Sequence, residues 1–205
     1  RYVSAETKVA QLSGSLSGWS AGFIDYNNDG WKDLYSANGD VDDLAPNARQ
    51  HDTIFENVEG KTFLDVSKEM GTDFLRRGFQ RGAAFADFDN DGFQDIAVTS
   101  LNERPRILRN SGNGNHWLLI RAEGRKSNRD AVGTRISVTT GSGRTLHNFV
   151  SPSVGLLSSS DPKAHFGLGR ETVVKVEIRW PSGAHQSIEN VRANQILTVK
   201  EPANP

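Results

Sequence analysis

Two stretches of this chain are near copies of one another, and they limit its possible folds more than any other feature. Gly22-Phe23-Ile24-Asp25-Tyr26-Asn27-Asn28-Asp29-Gly30-Trp31-Lys32-Asp33-Leu34 is echoed by Ala84-Phe85-Ala86-Asp87-Phe88-Asp89-Asn90-Asp91-Gly92-Phe93-Gln94-Asp95-Ile96, an offset of 62 residues. A second echo pairs Ile54-Phe55-Glu56-Asn57 with Ile107-Leu108-Arg109-Asn110 at an offset of 53. The first copy therefore carries about nine extra residues, and the polar segment 40–50, with its Pro46, is expected to hold them as an exposed loop. A repeat of about 50 to 60 residues with several short strands per copy fits propeller blades better than a solenoid. Rings of this kind close with roughly 4 to 8 blades. Two repeats cannot close one, so the sequence is expected to be the C-terminal part of a longer propeller.

From about residue 115 the pattern changes. Strand-like runs at 116–122, 134–140, 146–150, 164–166, 173–180, 185–188 and 196–199 are separated by turn residues such as Gly141-Ser142-Gly143 and Pro181-Ser182-Gly183. Val174-Lys175-Val176-Glu177-Ile178-Arg179-Trp180 alternates apolar and polar as a half-buried strand does. The spacing predicts a small β-sandwich or barrel-like domain. One short helical segment is expected at 67–70, ended by Gly71. The fold class is thus all-β: a partial β-propeller of about two blades over 1–112, then a β domain over 113–205, parted within Asn110-Ser111-Gly112-Asn113-Gly114.

Each Asp-rich loop has metal-binding spacing. Counting from the first Asp, side-chain oxygens fall at positions 1, 3 and 5: Asp25, Asn27 and Asp29, then Asp87, Asp89 and Asp91. Gly30 and Gly92 stand at position 6, where the chain must turn sharply. Position 7, Trp31 or Phe93, would offer its backbone carbonyl, and Asp33 or Asp95 closes the loop at position 9. Calcium is a hard cation that takes six to eight oxygens, and this odd-numbered spacing aims them at one centre. An EF-hand is rejected: position 12 is Ser36 or Val98 rather than Glu, and strand-like residues follow instead of a helix. The competing reading is an ordinary solvated turn, which these residue types also favour. Two copies with one spacing and one strand context argue against it, as does the repulsion among crowded carboxylates without a cation. Magnesium demands tighter octahedral geometry and keeps more of its water. Two Ca2+ sites are therefore expected.

The remaining features exclude more than they assign. With 24 Lys+Arg against 25 Asp+Glu the net charge is −1, which argues against a nucleic-acid partner held by phosphate contacts. No apolar run is long enough for a membrane span. The chain has no Cys, which fits an exported bacterial protein as well as a cytosolic one. It opens Arg1-Tyr2-Val3 without Met or a leader pattern, consistent with a removed leader or a fragment; the repeat arithmetic favours the fragment. The five His residues never form a close pair suited to zinc, and there is no Gly-x-Ser-x-Gly nucleophile elbow. Lys126-Ser127-Asn128-Arg129-Asp130 reads as a solvated turn, and Gly167-Leu168-Gly169 as a turn or bulge.

The Phe-x-Asp-x-(Asn/Asp)-x-Asp-Gly-x-x-Asp-(Leu/Ile) pattern resembles the FG-GAP, or VCBS, repeats of integrin α-type propellers. The second half resembles the ASPIC/UnbV domain through Asn115-His116-Trp117-Leu118, Lys126-Ser127-Asn128-Arg129-Asp130-Ala131-Val132-Gly133, His165-Phe166-Gly167-Leu168-Gly169 and Val176-Glu177-Ile178-Arg179-Trp180-Pro181-Ser182-Gly183. The combination is similar to the cartilage acidic protein family and its bacterial relatives. That resemblance implies a secreted, periplasmic or extracellular protein with a calcium-bearing propeller, and no established catalytic activity. The expected function is a non-enzymatic calcium-binding interaction or adhesion module engaging an unknown protein or glycan. Exposed blade edges would also allow a homo-oligomer. The alternative is a hydrolase acting on extracellular polysaccharide. It needs a pair of facing carboxylates, and the acids outside the loops (Asp42, Asp43, Glu103, Asp130, Glu171) are scattered along the sequence.

Overall fold

A computed structural model describes residues 3–44 and 46–203, and they are overwhelmingly β. The first half builds two antiparallel meanders. β1 (Gly18–Ile24), β2 (Asp33–Asn38), β3 (Thr53–Val58) and β4 (Thr62–Asp65) pair in sequence order. β5 (Gln80–Ala86), β6 (Asp95–Ser100) and β7 (Arg106–Leu108) do the same. Each meander is a propeller-like blade opened by an Asp-rich loop between its first two strands. In β1 the small or apolar residues Ser20, Gly22 and Ile24 alternate inward with exposed neighbours, as strand geometry demands. The blades meet around Tyr35, whose ring sits edge-on to Phe85 at 5.5 Å and to Phe74 at 6.2 Å. Ile24, Ile54, Ala83, Phe85, Ile96 and Val98 complete this core. The second blade has one strand fewer, and among the described residues nothing pairs with the outer edge of β7.

The second half forms a separate core between two sheets. β8 (His116–Glu123), β9 (Arg135–Thr140), β10 (Thr145–Phe149), β11 (Ala164–Gly169), β12 (Val173–Arg179), β13 (His185–Arg192) and β14 (Gln195–Lys200) follow in order. One sheet runs β10-β9-β12-β13, the other β11-β8-β14, with β14 parallel to β8. Leu118 and Ile120 face Ile136, Val138, Val174, Val176 and Ile178 across the interior, all essentially inaccessible to water. The apolar run of β8 is long because its sheet is covered on more than one side: Trp117 packs outward under an Asp-rich loop while Leu118 points into the core.

Each strand expected after residue 115 lies on an observed one, with ends moved by a few residues. Gly167-Leu168-Gly169, expected as a turn or bulge, is a bulge at the end of β11. Two expectations need correction. The expected helical turn is a 3-10 turn at Ser67–Glu69, and a second short helix, α1 (Val9–Ser13), lies near the start, where no amphipathic pattern marks it. Segment 40–50 is exposed at 41–44, but Ala48 and Gln50 are buried, and Gln50 exchanges backbone hydrogen bonds with Gly78 at 2.9 and 3.0 Å. Tertiary pairing draws these two residues inward while Pro46, Asn47 and Arg49 stay exposed; Ala45 lies outside the described residues.

Candidate metal centre

The two Asp-rich loops are built on one hydrogen-bond frame. Asp25 accepts the N–H of Asp29 (3.0 Å) and of Gly30 (2.9 Å) on its two oxygens. Asp87 accepts those of Asp91 (3.1 Å) and Gly92 (2.9 Å) in the same way. Asp33 takes Tyr26 N–H at 3.1 Å and Asn57 N–H at 2.8 Å; Asp95 takes Phe88 N–H at 3.0 Å and Asn110 N–H at 2.7 Å. Asp29 and Asp91 each accept the N–H two residues on, at 2.7 and 2.9 Å. Left-handed backbone at Asn28 and Asn90 (φ 56° and 59°) and at Gly30 and Gly92 (φ 86° and 90°) makes the tight curl possible.

The sequence pattern missed two parts of this frame. Asn57 on β3 and Asn110, two residues past β7, tie the closing Asp of each loop to that side of its blade. Their side chains also return to the loop, Asn57 Nδ2 donating to the Lys32 carbonyl at 3.0 Å. The signal was the shared 53-residue offset, but only the fold shows what the Asn is for. Position 4 is the other part: Asn28 and Asn90 are there because Asn tolerates the left-handed region better than most residues.

The loops differ in how closely they gather charge. Carboxylate oxygens of Asp87, Asp89 and Asp95 lie within 4.8 Å of one another, a separation one cation can bridge. Among the described residues no other trio of acidic or His ligands is drawn together so closely. Asp91 completes this loop, and Arg109 spans its mouth, Nε to Asp89 at 2.6 Å and Nη2 to Asp91 at 3.5 Å. In the first loop Asn27 replaces one carboxylate and donates to Asp29 at 3.3 Å. Burial drives the Asp33 carboxyl up to about 8, with Asp25 and Asp29 adding to the rise. Burial likewise raises Asp25 to about 6, against the pull of Lys32. Burial raises Asp87 too, whereas Arg109 holds the exposed Asp89 below its usual range. The first and ninth carboxylates of each loop, Asp25 and Asp33 or Asp87 and Asp95, are buried and poorly solvated, and the second loop gathers its carboxylates the more compactly. The Trp31 and Phe93 carbonyls stand next in the curl.

Both loops are wedged against the second core. A Cβ on Gly92 would fall inside the Trp117 indole, and one on Gly167 would meet Asp25 Oδ2 and come within 2.5 Å of Asn28 Cα. Gly169 N–H donates to the Asn28 carbonyl at 2.7 Å. The buried His165 donates through Nε2 to the Gly92 carbonyl at 3.0 Å, and Asn28 Nδ2 reaches the same oxygen at 3.1 Å. Arg144 lies over the Trp31 ring at 3.9 Å and donates to the Asp29 and Gly30 carbonyls at 3.2 and 2.6 Å. Lys32 donates to the His165 carbonyl at 3.3 Å.

Comparison with known proteins agrees with this architecture. Residues 25–98 match the FG-GAP-like repeat model, which spans both Asp loops, and residues 79–119 match a second FG-GAP repeat model. Residues 124–205 match the model described as ASPIC and UnbV. Among curated proteins, cartilage acidic protein 1 of Mus musculus is 29% identical over 127 residues, 59% of this chain and 20% of its own length. Its Homo sapiens counterpart is 30% identical over 128 residues, 60% of this chain and 19% of its length. The chain thus spans about a fifth of the length of the curated relatives it matches. Its first half is thus similar to FG-GAP repeats and its second to the ASPIC and UnbV region.

Proposed function

We propose that the chain is a non-enzymatic, calcium-binding interaction module of an exported protein, with one structural ion in each Asp-rich loop. The reading is supported chiefly by the duplicated frame, in which the first and ninth carboxylates of both loops are held by backbone N–H groups in the same orientation. In the first loop Asp25, Asn27, Asp29 and Asp33, with the Trp31 carbonyl, would hold the ion. In the second, Asp87, Asp89, Asp91 and Asp95, with the Phe93 carbonyl, would do so. Calcium supplies positive charge at the loop centre, and every proposed ligand is an acceptor oxygen. Arg109 would exchange its contacts with Asp89 and Asp91 for a place at the rim. In this reading the chain divides near residue 112 into a blade unit and a β unit. Because Gly92 rests on Trp117 and Gly169 is bonded to Asn28, stiffening the loops also stiffens the seam between the two cores.

Exported location and a protein or glycan partner belong to the same proposal, as does self-association through the open edge of β7. None of the described helices is long and apolar enough to cross a membrane. Calcium titration by calorimetry, with thermal melts in calcium and in chelator, tests the central claim. Each site contributes about 2.7 kcal/mol at a hundredfold excess over its dissociation constant. At roughly 2 to 4 °C per kcal/mol for a chain of this size, two sites raise the melting temperature by about 10 to 20 °C. Asp95→Asn should remove one binding event and Asp33→Asn the other. Absence of calcium binding, or binding without stabilisation, would overturn the reading.

A further inference from the structure

Beyond the Asp loops, a cleft of about 1170 Å³ lies where the first blade, the second blade and the second core meet. One wall is β1, with Phe23 exposed on it; the opposite wall is the outward face of β9, β10 and β12. Arg135 and Arg179 are direct cross-strand neighbours on that face, and Phe149 on β10 is opposite Arg135 in the same row. His147, which also lines the cleft, stands one row along, opposite Ser137, with Nδ1 3.0 Å from Ser137 Oγ.

The charge on this wall is uncompensated. Like charges directly opposite on a sheet destabilise it, yet among the described residues neither Arg135 nor Arg179 has an acidic or hydrogen-bonding partner. The nearest acid along the strand, Glu177, is bound to Lys175 at 3.5 Å, and the one carboxylate lining the cleft, Asp161, is taken by Lys163 at 2.9 Å. Two unpaired arginines on directly paired strand positions can together hold a carboxylate or sulfate.

Several backbone groups beside the cleft already have partners. Phe85 N–H is bound by Ser160 Oγ and its carbonyl by Asp161 N–H, each at 3.0 Å. Ser20 Oγ takes the N–H groups of Ala83 and Leu156, and Phe149 N–H is bound by Asn148 Oδ1. The side chains offer two complementary features: paired guanidiniums for anionic groups, and the flat apolar rings of Phe23 and Phe149, 65% and 61% exposed, for the apolar face of a sugar ring.

We infer that this cleft binds an anionic polysaccharide segment, its carboxylate or sulfate groups held by Arg135 and Arg179 and its pyranose rings laid against Phe23 and Phe149. This names the partner class of the interaction module proposed above and rests on that reading. Calcium melts test the loops and glycan capture tests the cleft, so either can fail alone.

The test is surface-immobilised capture of the whole chain, in calcium, by a sulfated oligosaccharide, by an unsulfated polyuronate and by poly-glutamate. Both sources of the anion are covered by the first two arms. Binding to either glycan that weakens with added salt is expected, with at least a tenfold loss in Arg135→Ala/Arg179→Ala. The charge-matched control Arg121→Ala/Arg192→Ala, outside the cleft, should leave binding unchanged. Both double variants should melt within a degree or two of the parent, since the altered arginines are exposed. Equal loss in the two double variants would reduce the effect to net charge and overturn the assignment. So would capture by poly-glutamate as strong as by glycan, or capture by neither glycan.

Discussion

Replacing Gly92 by Ala isolates the contact that joins the second loop to the second core. Two costs are worked from the structure. Gly92 has φ +90°, a conformation that costs an L-residue about 1 to 2 kcal/mol. Its Cβ would also enter the Trp117 indole, and overpacking a well-filled site costs about 1 to 3 kcal/mol more. Gly71 supplies the control, because its φ is +91° and nothing lies within 4 Å of its Cβ. Gly71→Ala should therefore lose about 1 to 2 kcal/mol and Gly92→Ala about 2 to 5 kcal/mol. For a chain of this size these are drops of roughly 2 to 8 °C and 4 to 20 °C. Melts are run in chelator, so that no metal term enters, and urea unfolding provides the free energies. In a Trp117→Ala background the extra cost of Gly92→Ala should shrink to that of Gly71→Ala, because the obstructing ring is gone. Equal losses for the two glycines in the parent, or an excess that survives removal of the indole, would refute the argument.

Two further outcomes follow from named contacts. Arg144→Ala should destabilise by about 2 kcal/mol, the range of charge-assisted hydrogen bonds, because its guanidinium serves the Asp29 and Gly30 carbonyls while stacked on Trp31. Arg144→Lys should recover little of this in urea unfolding, since an ammonium cannot form the fork; full rescue would count against the stacked geometry. Glu201 binds the N–H groups of Arg125, Lys126 and Ser127 and the hydroxyls of Ser127 and Ser182. Burial would raise its carboxyl, but these donors outweigh burial and hold it down at about 2, against 4.5 for an ordinary Glu. Its ionised form therefore adds stability that is fully present above about pH 4.5 and fades as pH falls toward 2. The gap in melting temperature between parent and Glu201→Gln should be wide at pH 7 and narrow by pH 3; a gap constant with pH would contradict the assignment.

Lys126-Ser127-Asn128-Arg129-Asp130 shows where sequence reasoning reaches its limit. Read along the chain it is a solvated charged turn. In the fold its backbone donors at 126 and 127 close on Glu201, about 75 residues away. No local pattern carries that pairing, since a nest of N–H groups has no residue signature. His165 is similar: in sequence it is one isolated His of five, and in the fold it is fully buried, bonded to the Gly92 carbonyl and displaced to about 3 by burial. The cleft arginines are alike in this respect. Alternation put Arg179 on an outward face, but only β9 pairing with β12 brings Arg135 beside it.

What the sequence determined by itself was periodic or local: the duplicated Asp loops, the short strands, their in-and-out alternation and the turns between them. Those features follow from backbone sterics and side-chain period, which act over a few residues. The tertiary structure alone decided which surfaces meet. It set the loops against Trp117 and Gly167, drew Asp87, Asp89 and Asp95 to within bridging distance, and buried Ala48 and Gln50 within an otherwise exposed insertion. Contacts of that kind depend on shape and on excluding water across distant segments, and the order of residues along a strand does not encode them one by one.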